Sequence, residues 1–171
     1  ISQEQYDFVK SKIEENHLQG KLNVIYKDYR EHQGEYSRIY SIEMFEAVGM
    51  QYWQIYFDKI KDLLKPSGVF SMQTIVIFEG LFEKYSQKID FIQKYIFPGG
   101  MLPTVKTLEN IAIEKKLDFF VKNQMADSYH QTLEMWRQNF NYKWEKIKHL
   151  GYSNEFKRMW NFYLSYCSGG F

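Results

Sequence analysis

The chain has little of several things, and each shortage excludes something. One cysteine, Cys167, can form neither an internal disulfide nor a cysteine-based zinc site, which suits a reducing compartment. Only 3 prolines are present, with no Ser/Gly linker and no internal repeat, so nothing marks a second domain. Charge of one sign is also lacking: 22 Lys+Arg face 21 Asp+Glu, so no overall electrostatic footprint for nucleic acid exists. The longest apolar run, Ile75–Phe78, is far below the roughly 20 residues of a membrane-spanning helix. Ile1–Asn16 mixes charged and apolar residues, without the continuous apolar stretch of a signal peptide. The four histidines (His17, His32, His130, His149) show no metal-binding spacing, so no metal is expected. Nucleophile-elbow, phosphate-loop and dinucleotide glycine motifs are absent too.

What is present is a chain of 171 residues, the size of one domain, with 44% hydrophobic residues and an aromatic content of 19%. Ser2 is positioned to cap a helix to about Asn16, with Tyr6, Val9 and Ile13 on one face. Leu22–Tyr26 and Arg38–Ile42 read as short strands. Trp53, Phe57, Ile60 and Leu64 form the stripe of an amphipathic helix that stops at Lys65–Gly68, and Val69–Ile77 follows as a β-branched strand. This alternation predicts an α/β domain with a parallel sheet. Further on, the pattern predicts a helix over Lys84–Tyr95, another capped by Thr104 to about Glu114, and a strand at Leu117–Val121. A long helix from Asp127 or Ser128 to about His149 and a last one capped by Ser153 complete the reading.

Candidate chemistry follows from place. Glu46 lies just after the strand Arg38–Ile42, and ligands of parallel α/β sheets collect beyond the carboxyl ends of strands. From position alone, a helix-capping or exposed acid is the plainer reading. Gln73–Ile75 lies in the following strand, where a polar residue on a half-buried strand is the plain alternative. Tyr129 heads the long helix and is by default a core aromatic. The stretch Lys143–His149 interleaves basic and aromatic residues, which fits either a solvated helix face or a membrane-surface contact.

Several segments taken together resemble the cyclopropane-fatty-acyl-phospholipid synthase family of S-adenosylmethionine-dependent methyltransferases. They are Ile1–Gln5, Lys27–Arg30, Arg38–Gly49, Leu64–Gly68, Tyr95–Pro103, Tyr129–Trp136 and Phe156–Gly169. Met44–Gly49 and Tyr95–Pro103 are the specific stretches; the strand–Lys65-Pro66-Ser67-Gly68–strand element is common to many methyltransferases. The resemblance runs through the whole chain in order. It implies a Rossmann-like class I methyltransferase sheet with extra helices over the substrate pocket, present only in part. The family's glycine-rich cofactor segment is expected upstream of Ile1, itself read as a strand stub, and its last strand beyond Ser168–Gly169. Because those strands would sit between the ones read here, residues 1–171 are expected to form one incomplete methyltransferase domain, unstable and inactive alone.

The resemblance also implies roles. Ser2 and Gln5 match the segment near the ribose and methionine part of S-adenosylmethionine, Asp28 and Tyr29 the turn flanking its adenine, and Ile42 the strand beside it. Glu46 matches the acid that holds a bicarbonate ion, assisted by Tyr129 and the backbone near Ile75. Gln73 stands where family members often carry a histidine, and an amide cannot titrate. The implied reaction is methyl transfer to the cis double bond of an unsaturated acyl chain in a phospholipid, closing a cyclopropane ring. The alternatives are a methyl-branched lipid product, a small-molecule substrate, or a fragment that has lost catalysis. A cytoplasmic protein, peripheral at the inner membrane face, without nucleic-acid partners and forming a homodimer, is the accompanying expectation.

Overall fold

Strand formation in this chain centres on one β–α–β unit. The computed structural model describes residues 2–171, so the strand-stub reading of Ile1 lies outside the described residues. The chain forms two compact units, Ile1–Thr74 and Ile75–Phe171, and each is described by itself.

In the first unit, α1 (Gln3–Glu15) starts where expected: the Ser2 hydroxyl accepts from the Gln5 backbone N–H at 3.3 Å. Ile13 is its buried residue, and Tyr6 meets Tyr26 edge-on at 5.9 Å. Strand β1 (Tyr36–Ile42) pairs in parallel with β2 (Leu64–Gln73), in register from Arg38–Val69 to Ile42–Gln73. Helix α2 (Trp53–Leu63) makes the crossover and buries Trp53, Tyr56, Phe57, Ile60 and Leu63. The core is aromatic. Phe45, fully buried, lies 5.5 Å from Trp53, 5.0 Å from Tyr56 and 5.9 Å from Phe57.

Two glycines are required by geometry. Gly49 turns the chain into α2 with φ +79, a conformation costly for other residues. At the irregular start of the ladder, a Cβ on Gly68 would come 2.8 Å from the Lys65 carbonyl oxygen and 3.1 Å from that of Tyr36.

The second unit is helical. In chain order it holds α3 (Glu79–Ser86), α4 (Phe91–Tyr95), α5 (Val105–Glu114), α6 (Ala126–Tyr142), α7 (Trp144–Lys148) and α8 (Asn154–Ser168). Thr104 and Ser153 cap α5 and α8 as the sequence predicts, accepting from Thr107 at 3.0 Å and Phe156 at 3.2 Å. Helices α6 and α8 run alongside each other in opposite senses. Near one end Asn141 and Asn161 exchange side-chain amide hydrogen bonds of 2.6 and 3.2 Å, and Phe140 lies against Phe156 and Trp160. At the other end the His130 ring lies 2.9 Å from both the carbonyl and the hydroxyl of Ser168.

Several expectations need correction. Leu22–Tyr26 and Leu117–Val121 are not strands; Leu22, Ile25, Phe120 and Val121 are all exposed. A strand exists through its ladder, and among the described residues neither segment finds a partner. The second strand of the pair begins at Leu64 and ends at Gln73, rather than running from Val69 to Ile77, so Thr74 and Ile75 lie past its end. The predicted helix Lys84–Tyr95 is two helices, α3 and α4. Asp90 accepts from the Gln93 N–H at 2.8 Å while the Gln93 side chain accepts from the Asp90 N–H at 3.0 Å, so a new helix starts there. The long helix opens at Ala126 and is interrupted at Lys143, which separates α6 from α7.

Candidate active site

The best-defined polar geometry lies where β1 and β2 end. Leaving β1, the chain makes a 3-10 turn, Phe45–Ala47, whose first residue is anchored in the aromatic core. That anchor fixes the next residue, Glu46, which is half-buried. Its Oε1 accepts a 2.7 Å hydrogen bond from the Thr74 hydroxyl, one residue past β2. One position back, the Glu43 N–H donates to the Gln73 carbonyl at 3.0 Å and the Gln73 amide donates to the Glu43 carboxylate at 3.3 Å. Two acids are thus tied to the exits of two neighbouring parallel strands, the part of such sheets where ligands bind.

Beside this lies a cleft of about 290 Å³ whose walls include Tyr29, Ser41, Met44 and Tyr56. Ser41 and Tyr56 are buried, and neither hydroxyl has a hydrogen-bond partner among the described residues. Burial pushes the Tyr56 phenol up to about 12; the neighbouring Ser41 hydroxyl offsets part of this without reaching hydrogen-bond geometry. Tyr29 meets Tyr56 edge-on at 5.5 Å. Asp28 is held by Arg30, whose Nη2 donates to Oδ2 at 2.7 Å, and this hydrogen-bonded guanidinium lowers the carboxyl to about 2.

The sequence-predicted residues are therefore partly gathered. Glu46 and Gln73 meet the strand exits, and Tyr29 lines the cleft with Asp28 preceding it. Ile42 ends β1 with 59% of its surface exposed. Ser2 and Gln5 occupy the first turn of α1, where Ser2 serves as the cap. Ile75 and Tyr129 belong to the second unit, where the Tyr129 ring lies 4.8 Å from that of Phe171. The second unit has its own apolar cleft of about 340 Å³, lined by Phe91, Tyr95, Arg158, Met159 and Phe162. Sequence reasoning passed over Ser41 and Tyr56. Tyr56 stands three residues after Trp53 on the buried stripe, where its ring reads as one more apolar residue.

Replacing Tyr56 by Phe removes a buried hydroxyl without a hydrogen-bond partner, so the natural full-length protein is expected to melt at an equal or higher temperature near neutral pH. Tyrosine ordinarily ionises near 10 and here only near 12. Its contribution to stability is therefore complete below pH 10 and lost as pH rises towards 12. Melting curves across that window should show a smaller alkaline drop for Tyr56→Phe than for the wild type; equal drops would contradict the assignment.

The parallel β–α–β unit, with its tethered acid at the strand exits and the aromatic cleft beside it, belongs to the class I methyltransferase fold. The mycolic acid cyclopropane synthase CmaA1, solved with SAH and CTAB, superposes with a TM-score of 0.88 over 98% of this chain and 62% of that one, at 22% identity. The mycolic acid cyclopropane synthetase family matches residues 1–171, and the chain belongs to that family of methyltransferases. Among its relatives, a tuberculostearic acid methyltransferase of Mycobacterium tuberculosis is 32% identical over 174 residues, which is 100% of this chain and 40% of the relative. The cyclopropane-fatty-acyl-phospholipid synthase of Escherichia coli is 35% identical over 153 residues, 88% of this chain and 38% of the relative. The chain thus spans about two fifths of the length of these relatives.

Proposed function

We propose that the protein takes part in methyl transfer from S-adenosylmethionine to the cis double bond of an unsaturated acyl chain in a phospholipid, closing a cyclopropane ring. The observation that carries this reading is the Thr74–Glu46 hydrogen bond, which orients an acid at the strand exits. The name of the Escherichia coli relative supports the phospholipid substrate.

The residues fit the cofactor. Tyr29 supplies an aromatic face, Asp28 a carboxylate that stays ionised, and Ser41 and Tyr56 two buried hydroxyls that lack hydrogen-bond partners. Ser2, Gln5 and Ile42 complete the set by resemblance. When bound, S-adenosylmethionine supplies an electrophilic methyl on a sulfonium.

Transfer of that methyl to the alkene would leave positive charge on the acyl chain, which aromatic faces would stabilise. A base then removes a proton from the added methyl, and the freed C–H pair closes the ring. Glu46 is the residue assigned to hold that base. The resemblance assigns a bicarbonate ion to that role, with Glu46 accepting its O–H and the Gln73 amide as a donor.

A second reading, a methyl-branched product, is favoured by Gln73 itself, since an amide cannot relay a proton as histidine does. The tuberculostearic acid relative, named a methyltransferase and not a cyclopropane synthase, is in keeping with it. Lipid extracts of cells expressing the natural full-length protein separate the readings. High-field cyclopropyl proton resonances are expected for the ring, and branched chains without them for the alternative. No added carbon in any lipid would refute both.

A phospholipid substrate also supports a peripheral position at the inner membrane face, on the cytoplasmic side. Homodimer formation belongs to the same reading and is checked by light scattering of the full-length protein. Among the described residues no helix is long and apolar enough to cross a membrane.

A further inference from the structure

The second unit ends in a tip that the proposed chemistry does not use. Its base is the interruption at Lys143, which stops α6 and starts the short α7, followed by a turn at Gly151 with φ +96. Trp144 is buried there, with the Lys157 ammonium 5.1 Å over its ring, so the tip has a fixed foundation. Outward it presents apolar side chains that gain nothing from water: Tyr142 is 88% exposed, Leu150 77% and Tyr152 46%.

Around these rings and this aliphatic chain the charge is one-sided. Residues 142–158 carry five cations, Lys143, Lys146, Lys148, Lys157 and Arg158, against two acids, Glu145 and Glu155, while the whole chain is only +1. Glu155 is already engaged by Arg158 at 3.1 Å. Among the described residues no ion pair engages Lys143, Lys146 or Lys148, and all three are exposed. Exposed aromatic and aliphatic side chains sharing one short segment with exposed lysines match the interface of an anionic bilayer, where the apolar tips enter the headgroup layer and the ammonium groups meet phosphates.

We infer that the tip formed by Tyr142, Leu150 and Tyr152 with Lys143, Lys146 and Lys148 is the element that docks this protein on anionic phospholipid bilayers. The inference rests on the peripheral-membrane part of the function proposed above and names the surface and the lipid charge involved. Neither Glu46 nor the cleft beside Tyr29 contributes to it.

The test uses the natural full-length protein and vesicles of phosphatidylcholine, with and without phosphatidylglycerol. Binding is expected to favour the vesicles containing phosphatidylglycerol and to weaken with added salt. Replacing Lys143, Lys146 and Lys148 together by Gln should lower affinity for those vesicles about a hundredfold and leave phosphatidylcholine binding unchanged. Tyr142→Ser with Leu150→Ser should weaken binding to both. Wild-type affinity in the triple lysine variant overturns the inference. Methyl transfer to phospholipid dispersed in neutral detergent, together with affinity for S-adenosylhomocysteine, serves as the second readout. Both should stay at wild-type level in the tip variants, and a fall in either would mean that the tip is not a separate docking element. If the wild-type protein methylates no lipid in detergent, the proposed reaction fails, while the vesicle measurements still decide the tip.

Discussion

Glu46→Gln in the natural full-length protein is expected to lower methyl transfer by about 10²- to 10⁴-fold, the usual range for loss of a positioned acid–base group. The substitution keeps size and shape, so Thr74 can still donate its 2.7 Å hydrogen bond, now to the amide oxygen. What disappears is the negative charge proposed to accept the bicarbonate O–H. Cofactor affinity should be unchanged, because the proposed cofactor residues Asp28, Tyr29, Ser41 and Tyr56 do not include Glu46. Calorimetry with S-adenosylhomocysteine beside a turnover assay separates the two effects. Wild-type turnover would sink the assignment of Glu46, and lost cofactor affinity would move it from chemistry to binding.

The second large effect is structural. Phe45→Ala should destabilise the first unit by about 3–5 kcal/mol, the range for removing a large buried ring. Phe45 is fully buried and touches Trp53, Tyr56 and Phe57, so the loss is a cavity at the centre of the aromatic core. Because Phe45 also anchors the turn bearing Glu46, activity should fall at temperatures where the protein remains folded. Urea unfolding with turnover measured below the transition checks both. A change under about 1 kcal/mol would show that the ring is not the anchor described, since surface substitutions fall in that range.

How far the sequence could be read depended on whether an element is local or needs a partner. Ser2, Thr104 and Ser153 cap helices through contacts three residues long, and each was legible. Leu22–Tyr26 and Leu117–Val121 have strand composition, but composition carries no information about whether a neighbour is there to pair with. The break between α3 and α4 was hidden because apolar residues continue through Lys84–Tyr95, while the Asp90–Gln93 reciprocal cap competes successfully with one continuous helix. The place of Glu46 just after a strand was legible. The polar tip of Tyr56 was not, because its ring satisfies the same apolar spacing as its neighbours.

The paired amides of Asn141 and Asn161 set a limit on how the second unit can move. An α-helix repeats every 5.4 Å, and neighbouring helices commonly relax by sliding along their ridges. Here a slide of one turn would strand two amides in partly buried surroundings, and it would pull Ser168 from His130 at the far end. With both ends pinned, a lengthwise shift of α6 against α8 breaks the hydrogen bonds at each end at once. Tyr129, one residue before His130, therefore keeps its height relative to Cys167 and Ser168 for as long as the helix pair stays together.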